Sequence, residues 1–110
     1  MPLDARVYRV AGWVVVEMIG ELDLQSAPLV PPLLLGVGPL VVFDLERLTF
    51  MDCRGLSLLA GAASSAITRG GSVRVAGASR QVRRLVTLGL LDGALSMFDS
   101  LHDALAAPAG

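Results

Sequence analysis

The chain has 110 residues, which is enough for one domain with a single core and too few for two. Apolar residues make up 54% of it and charged residues only 17%, a balance that excludes a disordered chain. The net charge of −1 provides no field that would attract nucleic acid or an anionic membrane, so we expect no direct contact with nucleic acid.

The first predicted elements are two strands, Val7–Val10 and Trp13–Ile19, joined by a turn at Ala11 and Gly12. The second strand contains a run of valines, and β-branched side chains favour a pleated sheet. These features predict an opening β-hairpin.

A helix is then expected to begin near Ser26, a capping residue, with Pro28 in its first turn. Pro31 and Pro32 oppose its continuation, because each would cost roughly 3 kcal/mol in a helix interior. We therefore predict a short, kinked or partly unwound helix that ends near residues 36–39.

The rest of the chain alternates apolar strands with amphipathic helices. The predicted strands are Leu40–Asp44, Ser72–Ala76 and Leu95–Phe98, and the predicted helices are Gly55–Arg69, one capped by Ser79 and one capped by Ser100. We predict an α/β fold in which a mixed sheet of four to five strands carries about four helices, mainly on one face. Period-two alternation places Val73 and Val75 inward and Arg74 outward.

The segment that joins the strand Leu40–Asp44 to the next helix carries the clearest functional signal. We expect Leu48, Phe50 and Met51 in this link to be buried. The helix then starts at residues 52–55, where free backbone N–H groups and the positive end of the helix dipole collect. Such a site suits an anion or a protein partner.

The same helix carries a stripe of small or hydroxylic side chains. Ser57, Gly61, Ser64 and Thr68 follow one another at helical spacing. Small side chains let the backbone of a partner come close. We expect this stripe to extend the surface that begins at residues 52–55.

Residues 41–61 read VVFDLERLTFMDCRGLSLLAG, and a GELD phrase followed by SAP precedes them at residues 20–28. These motifs resemble the STAS domain of anti-sigma factor antagonists, and the resemblance extends from about Val7 to Ala106 within one domain of residues 1–110. Members carry an aspartate, usually two small hydroxylic residues and then Gly-Leu at the start of this helix. The second hydroxylic residue is phosphorylated in the switching members, and here it is Arg54, preceded by Cys53.

The resemblance implies a bacterial protein that regulates transcription by protein–protein interaction. It would bind an anti-sigma factor with a histidine-kinase-like ATPase fold and so free a sigma factor, as a binding module and not an enzyme, without a cofactor. The implied partner-binding residues are Glu21, Asp23, Asp52, Cys53, Arg54, Gly55, Leu56, Ser57, Gly61 and Ser64.

Arg54 and Cys53 each leave two interpretations open. A guanidinium is not a substrate for a Ser/Thr kinase, so Arg54 indicates a lost or altered phosphoswitch; it could also be a solvated residue paired with Asp52 or Glu46. Cys53 could be a redox-sensitive thiol at a helix N-terminus or an inert, buried small residue.

No catalytic set is evident in the sequence. The lone histidine, His102, is predicted on the outer side of the last helix, and one histidine with one cysteine cannot form a zinc site. Asp23 and Asp52 can be explained as turn or capping residues, which is compatible with a place at a binding surface.

Three alternatives remain beside the anti-sigma reading. The chain could be the STAS subunit of an ABC-type lipid transporter, or a nucleotide-binding STAS module that takes a phosphate near Asp52. The apolar segment Leu29–Leu35 could also form a homodimer.

The sequence favours a cytoplasmic location. A single cysteine fits a reducing compartment, and the first residues show no signal peptide. Prolines and glycines interrupt the apolar stretch between residues 29 and 43, so we expect no membrane insertion.

Overall fold

The computed structural model describes residues 2–89, 91 and 93–108, which form one five-stranded mixed sheet with helices on both faces. The strands are β1 (Asp4–Val10), β2 (Trp13–Leu22), β3 (Leu40–Met51), β4 (Ser72–Ala76) and β5 (Leu95–Phe98). The α-helices are α1 (Cys53–Thr68), α2 (Arg80–Leu88) and α3 (Leu101–Ala106), and two short 3-10 helices are η1 (Ala27–Leu29) and η2 (Pro31–Leu34). The predicted fold class is confirmed.

The strands lie in the order β1-β2-β3-β4-β5. The hairpin β1–β2 is antiparallel, and β2 through β5 pair in parallel. The hairpin turn lies where it was predicted, because Ala11 and Gly12 both take positive φ values, 53° and 84°, as a two-residue hairpin loop requires.

The proline-rich segment is a pair of 3-10 turns and contains no α-helix. The two prolines supply no N–H for an α-helical ladder, so the short helix that was expected is fully unwound into 3-10 geometry. Val30 between the two turns is completely buried and fixes the segment to the core.

β3 is longer than predicted, since it continues past Asp44 to Met51. Its pairing with β2 shifts register twice beyond Glu17, so the strand bends while it stays bonded to the sheet. Leu48 and Met51 are buried as expected, but Phe50 is 40% exposed. The expectation for Phe50 was wrong because the extended strand turns this side chain toward solvent.

Two apolar clusters lie on opposite faces of the sheet. The larger one, centred on Phe43, packs beneath α1 and α2. The smaller one contains Trp13, Val15 and Ala104 and lies beneath α3. Most helical mass is therefore on one face, as predicted, and α3 covers part of the other.

Arg74 lies under α3 and is 5% exposed, so its predicted outward position was wrong. Its guanidinium donates hydrogen bonds to the carbonyl oxygens of Ala104, Ala107 and Pro108. It also lies 4.2 Å from the centroid of the Trp13 ring. The strand alternation was correct, but the face that Arg74 points to is covered by α3 instead of solvent.

Candidate functional site

The N-terminus of α1 lies at the C-terminal end of the central strand, β3. Asp52 is the N-cap of the helix, and its Oδ1 accepts hydrogen bonds from the backbone N–H groups of Arg54 (2.9 Å) and Gly55 (3.2 Å). Its Oδ2 accepts a hydrogen bond from the N–H of Leu24 at 3.1 Å. One carboxylate thus caps the helix and ties it to the loop that follows β2.

That loop is held by its own hydrogen bonds. The Ser26 hydroxyl donates to the carbonyl of Glu21 (2.7 Å) and accepts from the N–H of Asp23 (2.9 Å). Asp23 Oδ1 accepts from the N–H groups of Gln25 and Ser26, both at 3.0 Å. The bond from the Ser26 backbone is the main reason why the pKa of Asp23 lies below its ordinary value. The structure therefore brings the predicted flank beside the α1 N-terminus, with Glu21 at the end of β2 and Asp23 in the fixed loop after it.

Gly55 is buried, and it is not part of the exposed surface. A Cβ atom there would come within 2.6 Å of Met51 Cγ and 3.0 Å of the Leu22 side chain. Glycine lets α1 start in close contact with the ends of β2 and β3. We infer that Gly55 shapes the site from below, while its neighbours supply the contact surface.

Cys53 and Arg54 are both exposed on the first turn of α1. The buried interpretation of Cys53 was wrong, and its redox role stays a prediction. Within the described residues, the Arg54 side chain forms no ion pair with Asp52 or Glu46; the ion pairs there are Arg6–Glu17 and Arg83–Asp99. Two candidate side chains are thus presented to solvent at the capped helix start.

The small-residue stripe of α1 is exposed along its full length, as its pattern predicted. Ser57, Gly61, Ser64 and Thr68 all face solvent, whereas Leu56 is half-buried. A Cβ atom built on Gly61 meets nothing within 4 Å. The stripe is continuous with the exposed first turn of the helix.

The site includes residues that sequence reasoning missed. Leu24 is 60% exposed and Phe50 is 40% exposed near the cap, and Phe50 is the β3 register partner of Glu21. Gln81 of α2 clamps the end of β3, because its side-chain amide accepts from the N–H of Met51 (3.2 Å) and donates to its carbonyl (2.6 Å). Leu24 is an apolar residue in a polar turn after GELD, and this feature could have marked it as a contact residue.

The site offers recognition groups: a capped helix start with exposed polar and apolar side chains beside it. Among the described residues, no three His, Cys, Asp or Glu side chains converge to hold a metal ion. His102 is exposed on α3, which packs on the face of the sheet opposite α1. Within the same part of the chain, no helix has the length and apolar character needed to cross a membrane.

Residues 4–104 match the sequence model of the STAS domain family. The chain belongs to the STAS domain family. No curated protein matches this STAS domain.

Solved structures share its fold. An anti-sigma factor antagonist from Mycobacterium paratuberculosis is 27% identical, with a TM-score of 0.82 over 94% of this chain and 91% of that chain. The Bacillus cell fate determinant SpoIIAA in its phosphorylated form is 21% identical, with a TM-score of 0.76 over 93% and 96%. A sulfate transporter family protein from Wolinella succinogenes is 19% identical, with a TM-score of 0.75 over 90% and 86%. Anti-sigma factor antagonists and a protein of a transporter family therefore resemble this chain in fold.

Proposed function

We propose that this STAS domain is an anti-sigma factor antagonist that binds an anti-sigma factor with a kinase-like ATPase fold and thereby frees a sigma factor. The observation that carries the proposal is the exposed start of α1, which Asp52 fixes to the Leu24 loop. This geometry supports a preformed binding surface that recognises a partner without making or breaking a covalent bond. The similarity to the mycobacterial antagonist supports the same partner class.

The docking surface consists of the α1 stripe and the apolar side chains beside the cap. Ser57 and Gly61 allow a partner backbone to approach closely. Leu24 and Phe50 supply apolar area next to them, and buried apolar anchors carry most of the energy in protein interfaces. Glu21 at the end of β2 and Asp23 in the fixed loop after it form the flank of this surface.

Arg54 defines how this antagonist departs from a phosphoswitch. SpoIIAA has been solved in unphosphorylated and phosphorylated forms. Here the residue at the proposed acceptor position is an exposed arginine, whose guanidinium offers no hydroxyl to a Ser/Thr kinase. We propose that the antagonist binds its partner constitutively and that Arg54 meets an acidic group of the partner. Ser57, the nearest hydroxyl, lies three residues further along the helix.

We propose further that this domain acts in the cytoplasm as a binding module without catalytic activity. Its test is direct binding to the purified cognate kinase-like anti-sigma factor. Ser57→Arg should weaken that binding at least thirtyfold, because about 2 kcal/mol is a typical cost at the centre of an interface. His102→Arg places the same side chain on α3 and should leave binding unchanged.

Equal binding by both variants would contradict the proposed surface. Capture of an ABC-type ATPase in place of the anti-sigma factor would assign the chain to the transporter branch of the family.

A further inference from the structure

We propose that the groove between α1 and the proline-rich segment binds a small amphiphilic monocarboxylate, with its alkyl chain in the groove and its carboxylate on Arg69. The groove has a volume of about 350 Å³ and a mostly apolar lining. That size is at the lower end of pockets that hold small organic ligands. The proposal concerns the groove alone and stands independently of the anti-sigma partner.

The groove exists because the side chains of neither wall extend far enough to fill it. On one side, the α1 residues Ser57, Gly61 and Ala62 have little or no side chain to project. On the other side, the 3-10 turns of the proline-rich segment bring Leu34 and Val37 to the wall without the close packing of two regular helices. Val41 of β3, 6% exposed, lines the groove from the sheet side. A narrow apolar channel therefore runs beside α1.

The direction of the groove follows from the helix. Ser57, Gly61, Ser65 and Arg69 line it at intervals of four residues, so they form one ridge of α1. The rise of an α-helix gives this ridge a length of roughly 18 Å. An extended alkyl chain suits such a channel better than a compact ring.

Arg69 decides the chemical class of the ligand, because it is the one charged side chain among the described residues that line the groove. Its Nη2 donates to the carbonyl of Val37 at 2.9 Å, which places the guanidinium across the two walls at one end. This bond uses one of the five N–H donors of an arginine. A carboxylate is the group that the planar guanidinium binds best.

The backbone carbonyl groups at the C-terminal end of α1 do not compete for the Arg69 guanidinium. The carbonyl oxygens of Ser65, Ala66 and Ile67 accept hydrogen bonds from the backbone N–H groups of residues 69–71. These carbonyl oxygens therefore already have donors, and the Arg69 guanidinium keeps its contact with Val37 at the groove. The tail of a bound carboxylate would point along α1 toward Ser57, which also belongs to the proposed docking surface.

The test titrates the protein with decanoate, below its micellar range, by isothermal titration calorimetry. The expected result is saturable binding at one site per chain. Octanoate should bind roughly tenfold more weakly, because it loses the burial of two methylenes. Decyltrimethylammonium has a comparable chain and the opposite charge, and it should not bind measurably.

Two variants locate the site. Gly61→Leu adds a side chain at a groove-lining helical position where a Cβ meets nothing within 4 Å, and it should abolish decanoate binding. Ser64→Leu adds similar bulk to the next exposed position of α1, outside the groove, and should bind decanoate normally. Arg69→Gln should weaken decanoate about tenfold and leave the uncharged decanol unaffected. Circular dichroism checks that each variant is folded.

The proposal is overturned if decanoate does not bind saturably, if Gly61→Leu binds it as well as Ser64→Leu does, or if the ammonium compound binds equally well. Anti-sigma binding distinguishes this proposal from the previous one. Both α1 variants should weaken the partner complex, whereas only Gly61→Leu should lose the carboxylate. Loss of partner binding in Gly61→Leu alone, without any binding of decanoate, would assign the groove to a partner side chain and refute the ligand.

Discussion

Arg54 lies in the first turn of α1, whereas Arg74 lies in β4 and contacts the C-terminal end of α3, and the two environments are opposite. Arg74 is buried at the C-terminal end of α3, where it donates to three backbone carbonyls and stacks near Trp13. Arg54 is exposed in the first turn of α1, where the helix dipole disfavours a cation. The first side chain stabilises the fold through every contact it makes. The second makes no ion pair with the neighbouring acids Asp52 and Glu46, so stability does not explain why arginine stands there.

The largest effect is expected from Arg74→Met. Methionine keeps the apolar stem but leaves three carbonyl groups of the α3 end without their donor and removes the cation from Trp13. We expect the free energy of unfolding to fall by about 3 kcal/mol, measured by urea denaturation. Amide hydrogen exchange should accelerate in α3 before it does in α1.

The control is Arg69→Met, which removes an exposed side chain with one backbone bond and should cost less than about 1 kcal/mol. Equal losses of unfolding free energy in the two variants would show that burial does not determine how much Arg74 contributes to stability.

Asp52→Ala is expected to have the next largest effect, because one carboxylate caps α1 and also holds the Leu24 loop. The expected loss is about 2 kcal/mol in the free energy of unfolding. Ser79→Ala removes the cap of α2, which makes a single bond to the N–H of Val82, and should cost about 1 kcal/mol. A smaller loss for Asp52→Ala than for Ser79→Ala would contradict the double role.

Asp44 is a second buried charged side chain, and the charged groups that act on it are the carboxylates of Glu46 and Glu17. It is 5% exposed, and burial is the main cause that raises its pKa, helped by the nearby carboxylates of Glu46 and Glu17 and opposed by the hydrogen bond from the Glu46 N–H. A raised pKa means that the folded state binds its proton more tightly than the unfolded state. Stability is therefore full below the ordinary value of 3.8 and declines as the pH rises through the raised pKa.

Asp44→Asn should remove this decline, since the amide oxygen still accepts from the Glu46 N–H. Urea denaturation at pH 3.5 and pH 7 measures the difference, and the variant should gain stability over the parent at pH 7 only. A parent protein whose stability rises across this range through Asp44 would refute the sign.

The smallest effect is expected from Arg54→Glu, which exchanges an unfavourable charge at the helix start for a favourable one. The gain in the free energy of unfolding should be about 0.5 kcal/mol at low salt, and it should shrink as salt is added. Arg80→Glu makes the same exchange in the first turn of α2 and calibrates the dipole effect. A loss of stability in Arg54→Glu would indicate a structural role for this arginine.

Local patterns in the sequence predicted the later elements well. β4 and β5 have the predicted bounds, and the caps Ser79 and Ser100 accept the expected backbone hydrogen bonds from Val82 and Asp103. These features depend on neighbouring residues alone. The errors concern long-range contacts: the position of Arg74 depends on α3, which lies about thirty residues away in the chain.

In the candidate site, too, local features were predictable and long-range contacts were not. The helix start at residues 52–55 and the exposed stripe were both predictable from capping and periodicity. The bond from Leu24 to Asp52 spans 28 residues, and no local pattern encodes it. The groove beside Arg69 likewise needs the packing of two separate segments, so no local pattern predicts it.

Incubation with the kinase-like anti-sigma factor and ATP tests whether the α1 start recognises its partner without a phosphorylation switch. Mass spectrometry should find no phosphate on residues 52–57 of the parent protein, and the complex should persist. Arg54→Ser restores a hydroxyl at the same position and should take up phosphate and leave the complex, whereas Arg54→Ala should do neither. A stoichiometric phosphate on the parent segment, with release of the partner, would contradict the account.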